Sequence, residues 1–216
     1  MATRLLLSDL AAQWQLTTGI NLVVESVGGL DAAKRVQAGE AFDGVVLARE
    51  AIDKLIASGH VVSSSRVDLV SSSVAVAVRA DAPLLDISSE AALRSAVLAA
   101  PTIGYSTGPS GVAIMALFER WGLTQTLQSR IVQTPPGVPV GTLVARGELA
   151  LGFQQLSELM HLPGISVVGT LPEPAGITTI FSIATCATVK NRNELSRFAA
   201  FMASSSAVQE IGRAHV

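Results

Sequence analysis

The sequence predicts an α/β protein of two lobes, each a mainly parallel sheet with flanking helices. Helix-like and strand-like segments alternate along most of the 216 residues, as in proteins built from βα units. Two long strand-like runs, Asp68–Arg79 and Ile177–Val189, bracket the middle of the chain. We therefore expect two crossover strands that join the lobes and act as a hinge around a ligand. The predicted boundaries are 1–78 with 178–210 for the first lobe and 79–177 for the second.

The first lobe should begin with an amphipathic helix from Thr3 to Thr18. Leu6, Leu10 and Trp14 recur there at helical spacing, and Gly19 ends the run. Short apolar runs and helical patterns then alternate up to the first crossover strand. We predict strands at 21–25 and 44–47 and helices at 30–38 and 50–58.

The second lobe should follow the crossover strand Asp68–Arg79, in which valines alternate with small residues. Ser89 and Glu90 form a capping signature before the next helix. Further strands are predicted from Pro101 to the loop after it and at 130–133, 149–153 and 165–168. Further helices are predicted at 91–99, 112–121, 140–147, from 154 onward, and at 193–204.

The composition excludes several classes of protein. The net charge is −2 without a basic stripe, so we expect no nucleic-acid partner. Cys186 is the single cysteine, which rules out an internal disulfide and most metal sites. No apolar run approaches the length of a membrane span, and no phosphate-binding or dinucleotide fingerprint occurs. We expect neither a metal nor a cofactor.

The loop Ile103–Gly111 is the most informative stretch, because a short apolar strand leads through glycines and hydroxyl residues into a helix. Unpaired N–H groups at a helix start bind anions, and Ser106, Thr107 and Ser110 add donors. No Lys or Arg lies inside it. The alternative is an ordinary strand-to-helix turn in which Ser110 only caps the helix. Similar loops follow other predicted strands, and their convergence at one sheet edge favours a binding site.

An enzyme would need a positioned proton carrier, and the sequence offers weak candidates only. Tyr105 lies in the loop just described, and His161 follows Glu158 by three residues on one predicted helix face. The alternative for His161 is a solvated helix end, and Asp43 can simply cap or bridge. No catalytic triad or metal-ligand spacing rises above chance.

Three stretches resemble type II periplasmic binding proteins, and more narrowly the molybdate-binding-protein-like branch of extracellular solute-binding proteins. They are Phe42–Leu47 with Ala51–Asp53, Gly104–Gly111 and Gly152–Glu158. The resemblance spans nearly the whole chain and implies a two-lobed type II periplasmic-binding-protein fold. The branch also includes an aconitate isomerase, so the fold alone does not guarantee mere binding.

In the molybdate-binding relatives, hydroxyls and backbone N–H groups from several loops hold the oxyanion without a cation. Gln155 stands where those relatives place a tyrosine, and Gln154 adds a donor, which suits a carboxylate as well as molybdate. The ligand-binding residues implied by position are Thr3, Ser26, Gly28, Gly29, Ser106, Thr107, Gly108, Ser110, Gly111, Val138, Gln154 and Gln155.

Both ends of the chain depart from those relatives. A first strand ending in a Ser-Ser pair precedes Met-Ala-Thr in them, and that strand is not found before Met1 here. The tail Ile211–Val216 can be encoded by a common sequencing-adapter oligonucleotide, so we expect residues 211–216 to be non-native.

The resemblance implies a monomeric solute-binding protein that hands a small anion to a membrane transporter of the ABC type. The intact protein should then be periplasmic. Two alternatives stay open: an isomerase acting on aconitate, and the ligand-sensing domain of a regulator.

Overall fold

The computed structural model describes residues 3–204. In chain order the helices and strands are α1 (Arg4–Thr18), α2 (Gly29–Gln37), β1 (Gly44–Ala48), α3 (Arg49–Ala57), β2 (Val67–Arg79), α4 (Glu90–Ala99), β3 (Ile103–Tyr105), α5 (Pro109–Arg120), α6 (Thr124–Leu127), β4 (Ile131–Gln133), α7 (Val140–Ala145), β5 (Leu151–Gln155), α8 (Leu156–Leu159), β6 (Ile165–Thr170), β7 (Thr178–Thr185) and α9 (Arg192–Met202).

The chain divides into two compact units. Unit 1 contains the described residues of 3–71 and 180–204, and unit 2 contains residues 72–179. The chain passes from one unit to the other within β2 and again within β7. The suspected tail at 211–216 lies outside the described residues.

Unit 1 is a small sheet covered by helices on both faces. β1 pairs antiparallel with β7, and Val46 faces Ile183 in that register. On one face Trp14 of α1 packs edge-on against Phe198 of α9, with ring centroids 5.6 Å apart. On the other face the apolar side chains of α2 and α3 pack on alternate residues of β1. The alternation of strand side chains thus places one core on each face.

The predicted strand at 21–25 is wrong, because residues 19–28 form no regular structure. β1 pairs with β7 on one edge, and no strand of the described chain pairs with its other edge. Residues 19–28 thus do not pair with the open edge of β1. Leu22 packs beside α1, and Arg35 holds Glu25 at 2.8 Å.

Unit 2 is built on a sheet with the order β6, β2, β5, β3, β4. β3 runs parallel to both β4 and β5, whereas β2 runs antiparallel to β5 and β6. The α/β fold class is confirmed, and the parallel pairing is found around β3. The core lies between this sheet and α5, where the rings of Phe118 and Phe153 are 5.7 Å apart.

Several element bounds differ from the prediction. Gln154 and Gln155 belong to β5 and do not open a helix, because Gln155 pairs with Val74 of β2 and extends the strand. α5 begins at Pro109, since proline is favoured in the first turn of a helix. β7 ends at Thr185, well short of Val189. The four-residue helix α6 was not predicted.

The predicted cap of α4 is confirmed. Ser89 lies outside the helix in an extended conformation, and its hydroxyl accepts a hydrogen bond from the Ala92 N–H at 3.2 Å. This bond satisfies one of the N–H groups that the first helical turn leaves without a partner.

Candidate functional site

The loop between β3 and α5 presents several unused donors. The Ser106 and Ser110 hydroxyls are 3.0 Å apart, and Ser110 is buried. The Gly111 N–H donates to the Gly108 carbonyl. The N–H groups of Thr107, Gly108 and Ser110 donate to no acceptor in the part of the chain that the structure describes. They are free to donate to a ligand.

Gly111 allows this loop to fold against the first turn of α5. A Cβ at position 111 would lie 1.7 Å from the Ser106 carbonyl oxygen and 3.0 Å from the Tyr105 ring. Atoms without a bond between them cannot approach so closely, so only glycine fits. The close approach fixes the Ser106 side chain next to Ser110 and sets the shape of the donor loop.

The loop carries no cation. No Lys or Arg occurs from Ile103 to Gly111, and the helix that follows is twelve residues long. The positive end of the helix dipole and the unpaired N–H groups therefore supply the attraction for an anion.

Strand β5 brings two glutamines to the same end of the sheet. Tyr105 of β3 is level with Phe153 of β5 in the parallel register, so Ser106, the first residue after β3, follows at the same end of the sheet as Gln154 and Gln155 of β5. Gln154 and Gln155 are each 3% exposed. Carboxyl ends of parallel strands are where such sheets bind ligands.

Both ends of the Gln154 amide are used inside unit 2. Its Oε1 accepts from the Gly141 N–H at 3.3 Å, in the first turn of α7. Its Nε2 donates to a Glu158 carboxylate oxygen. Gln154 therefore joins α7, β5 and α8, and its predicted role as a ligand donor stays a prediction.

Gln155 has one free end. Its Nε2 donates to the Thr179 hydroxyl at 2.7 Å, and both side chains are buried. Its Oε1 accepts no hydrogen bond from any residue of 3–204, although it is closed off from solvent. A buried polar atom without a partner is rare and requires an explanation.

In the loop before α7, the backbone N–H of Val138, a predicted ligand-binding residue, is already hydrogen-bonded within the loop. The Val138 N–H donates to the Pro135 carbonyl at 3.0 Å, closing a turn at Gly137. The side chain of Val138 is half-buried. Its role as a ligand-binding residue stays a prediction.

The residues predicted in unit 1 form a more open arrangement. Ser26 and Gly29 are exposed, and Gly28 precedes α2 without a side-chain cap. A Cβ at Gly29 would meet the Leu47 side chain at an ordinary 3.6 Å. Thr3 precedes α1, where its carbonyl accepts from the Leu7 N–H at 2.9 Å. These residues do not share the tight packing of the β3–α5 loop.

The predicted proton carriers lie in different surroundings. Tyr105 is half-buried at the end of β3, against Gly111. His161 is exposed beyond α8. Asp43 accepts from the Lys190 N–H at 2.8 Å and so links the loop before β1 to the segment after β7 in unit 1. Among these, Tyr105 lies in the donor loop itself.

Thr179 is a residue of this site that the sequence prediction missed. Thr178 and Thr179 look like ordinary strand residues in the sequence, and only the fold brings Thr179 to Gln155. No spacing in the sequence could have revealed this contact, because the two residues lie on different strands.

The described residues contain no group of His, Cys, Asp and Glu side chains that could hold a metal ion. Cys186 is buried, and desolvation raises the pKa of its thiol to about 11. Within residues 3–204, no helix is both long and apolar enough to cross a membrane.

Whole-chain similarity decides the family. A model of the bacterial extracellular solute-binding proteins matches residues 1–215. The chain belongs to this family. A curated relative of this solute-binding protein, aconitate isomerase from a Pseudomonas species, is 37% identical over 209 residues, covering 94% of this chain and 79% of the relative.

Solved structures of solute-binding proteins share the fold. The periplasmic molybdate-binding protein of Azotobacter vinelandii gives a TM-score of 0.79 at 21% identity, covering 98% of this chain and 93% of that one. A substrate-binding domain of a molybdenum ABC transporter from Clostridium difficile gives 0.76 at 17% identity, covering 99% and 93%. The tungstate-binding protein of Desulfovibrio alaskensis gives 0.67 at 20% identity, covering 95% and 87%. The resemblance inferred from the sequence is confirmed.

Proposed function

We propose that this solute-binding protein holds a small organic polycarboxylate of the size and charge of aconitate. The observation that carries the proposal is the β3–α5 loop, where unpaired N–H groups and paired serine hydroxyls converge without a cation. Such a wall recognises negatively charged oxygen atoms through hydrogen bonds directed by the backbone.

The choice of a carboxylate over a tetrahedral oxyanion rests on two further points. Gln155 stands where the molybdate-binding relatives place a tyrosine, and its amide, turned with the amino group outward, can donate to a carboxylate oxygen. The curated relative at 37% identity is named for an activity on aconitate. A carboxylate can also accept hydrogen bonds from an amide nitrogen and from several neighbouring N–H groups, since each of its oxygens accepts in the carboxylate plane.

We further propose that the intact protein works in the periplasm as a monomer and delivers this ligand to a membrane permease of the ABC type. The support is membership of the extracellular solute-binding family. Thr3, Ser26, Gly28 and Gly29 of unit 1 are proposed as additional ligand contacts, with Val138 and Gln154 of unit 2.

Calorimetry and thermal unfolding of the full chain test the binding proposal. The ligands are cis-aconitate, trans-aconitate, citrate, tricarballylate, molybdate, tungstate and sulfate. We expect the tricarboxylates to raise the melting temperature and to bind with micromolar or lower Kd. Stabilisation by molybdate or tungstate alone would contradict the choice of carboxylate, and stabilisation by no anion would contradict the whole proposal.

Isomerisation of aconitate is a second candidate function, favoured by the name of the curated relative. A base removes one proton from the methylene carbon, the electron pair spreads over the adjacent double bond, and a proton returns at the other end. All atoms are conserved, so the reaction requires no second substrate. Tyr105 and His161 are the proposed proton carriers, with Glu158 beside Gln154 as a third.

An absorbance assay for conversion of cis- to trans-aconitate tests the second candidate. We expect Tyr105→Phe to reduce the rate most, because Tyr105 lies at the donor loop, and His161→Ala to reduce it less, because His161 is exposed. Tight binding of aconitate without turnover by the unmodified chain would eliminate the isomerase and leave the binding proposal intact.

A further inference from the structure

The side chain of Gln155 is held at one end only. Its amide and the Thr179 hydroxyl are 2.7 Å apart in a buried setting, with Gln155 3% and Thr179 6% exposed. The other end of the amide has no hydrogen-bond partner. Leaving such a group unsatisfied costs free energy that a hydrogen bond to a ligand would recover.

Gln154 provides an internal comparison for this arrangement. It is the preceding residue on β5 and is equally buried, yet its amide accepts from the Gly141 N–H and donates to Glu158. The oxygen and the nitrogen of the Gln154 amide thus both have hydrogen-bond partners, and this side chain connects β5 to α7 and α8. Within unit 2, Oε1 of Gln155 is the buried side-chain oxygen or nitrogen that lacks a partner; the other such atom among the described residues is Nε1 of Trp14 in unit 1.

The Thr179 hydroxyl decides which end of the Gln155 amide stays free. A hydroxyl can accept from the amide nitrogen or donate to the amide oxygen, and rotating the amide exchanges the two. In the structure Nε2 faces Thr179, and Oε1 has no partner among the described residues. Turning the amide by 180° lets Thr179 donate to Oε1, so that the hydroxyl proton and the amide oxygen are both satisfied. The amino group of Gln155 is then the free end, with protons to donate to an anion.

We propose that Thr179 is a positioning residue that turns the Gln155 amino group toward the anionic ligand and so selects carboxylate oxygens. This inference rests on the proposed binding of a polycarboxylate. Nothing in unit 2 other than Thr179 is hydrogen-bonded to the Gln155 side chain among the described residues. Because the Gln155 amino group is a donor, it favours a ligand that presents oxygen acceptors at this point. It disfavours a ligand that presents an N–H group there.

The test compares Thr179→Val, Thr179→Ser and the matched control Thr178→Val in the full chain. Valine keeps the shape of threonine and removes the hydroxyl, while serine keeps the hydroxyl. Thr178 is the exposed neighbour, and its hydroxyl pairs with Ser73 at 3.1 Å. Thermal unfolding of each variant separates loss of fold from loss of recognition.

Calorimetry with tricarballylate and its two monoamides gives the readout. We expect Thr179→Val to weaken tricarballylate binding about tenfold, and Thr179→Ser and Thr178→Val to stay within about twofold of the unmodified chain. We also expect Thr179→Val to lose the preference for tricarballylate over one monoamide. The released Gln155 amide can then turn its oxygen toward the amino group of that monoamide.

The outcomes separate the two proposals. Equal weakening of tricarballylate and both monoamides in Thr179→Val would indicate a structural role and overturn the inference, as would full affinity in that variant or failure of Thr179→Ser to restore binding. If the unmodified chain binds none of the tricarboxylates, the proposed function fails, and the positioning role fails with it.

Discussion

The helix starts of α2 and α5 look alike in the sequence and differ in the structure. Each follows a loop with serine and glycine. The loop before α5 is packed so closely that a Cβ at Gly111 would lie 1.7 Å from the Ser106 carbonyl, whereas a Cβ at Gly29 of α2 would meet only Leu47 at 3.6 Å. Similar composition therefore produces a rigid donor loop in unit 2 and an open one in unit 1.

The polar chemistry of the two units differs in the same way. Around its sheet unit 1 pairs full charges, with Arg49 bound to Asp68 and Arg66 bound to Asp53. The strand ends of unit 2 near α5 use hydroxyls and amides. A rigid and uncharged set of donors discriminates by geometry, while exposed ion pairs respond to pH and salt.

Substituting the two glycines with alanine should give the largest difference. Gly111→Ala should destabilise the protein by about 3 kcal/mol or more, because the Cβ overlaps the Ser106 carbonyl. Gly29→Ala should instead stabilise it by about 0.5 kcal/mol, because alanine fits and restricts the unfolded chain. Urea unfolding of both variants measures the difference. Equal effects would contradict the contrast between the two helix starts.

Gln154→Leu should have the next largest effect. It removes the acceptor of the Gly141 N–H and one donor to the Glu158 carboxylate, which we expect to cost about 2 kcal/mol. Gln13→Leu, on α1 in unit 1, is the control: the half-buried Gln13 accepts through its backbone carbonyl from Thr17, and its side chain makes no hydrogen bond to another residue of 3–204. Unfolding free energies that agree within experimental error for the two variants would show that the Gln154 bonds contribute nothing.

Substituting the serines of the two loops should change the free energy of unfolding by a smaller amount. Ser110→Ala removes a buried hydrogen bond to Ser106 and should cost about 1 kcal/mol. Ser26→Ala changes an exposed residue and should stay within about 0.5 kcal/mol. Calorimetric affinity for tricarballylate should fall in Ser110→Ala. Unchanged affinity there would remove the serine pair from the binding site.

The smallest expected effect is a change in the pH dependence of stability, which arises from Asp68 in unit 1. The buried Ser182 hydroxyl donates to Asp68 at 2.7 Å, and this bond, followed by Arg49, holds the pKa of that carboxyl below its ordinary value. The resulting stability is present above the unfolded-state pKa of about 3.9 and is lost as the pH falls through the folded-state value. Ser182→Ala should therefore lower stability more at pH 7 than near pH 3.

Unfolding of Ser182→Ala and Ser110→Ala at both pH values sharpens the comparison between the units. The effect of Ser110→Ala on stability should not change with pH, because the hydrogen bond that it removes joins two uncharged hydroxyls. A pH-independent effect of Ser182→Ala would show that the bond to Asp68 does not influence the ionisation of that carboxyl.

Local patterns in the sequence were sufficient for most of the fold. Helix α1 follows from apolar spacing and ends at Gly19, which has the positive φ of 73° expected of a helix-ending glycine. The cap of α4 followed from Ser89. The strand predicted at 21–25 is wrong because its pattern is local, whereas a strand also requires backbone pairing with a neighbouring strand, and residues 19–28 form none.

The site could be predicted only in part. The unpaired donors of the β3–α5 loop could be expected from the sequence, because a loop with glycine and serine before a helix leaves the first N–H groups without intrahelical partners. That these donors bind an anion stays a prediction. The contact between Gln155 and Thr179 depends on how β5 and β7 are brought together, and no local pattern encodes it. The same holds for Gln154, which lies on a strand and bonds to the helix on either side of it in sequence.

The packing of Gly111 has a consequence for how the proposed anion-binding loop can change during evolution or design. Gly111 admits no side chain, and Ser106 and Ser110 are committed to each other. Thr107 is half-buried, and its hydroxyl makes no hydrogen bond within the described chain. A library restricted to residue 107 would therefore vary ligand preference while leaving the fold of the loop intact.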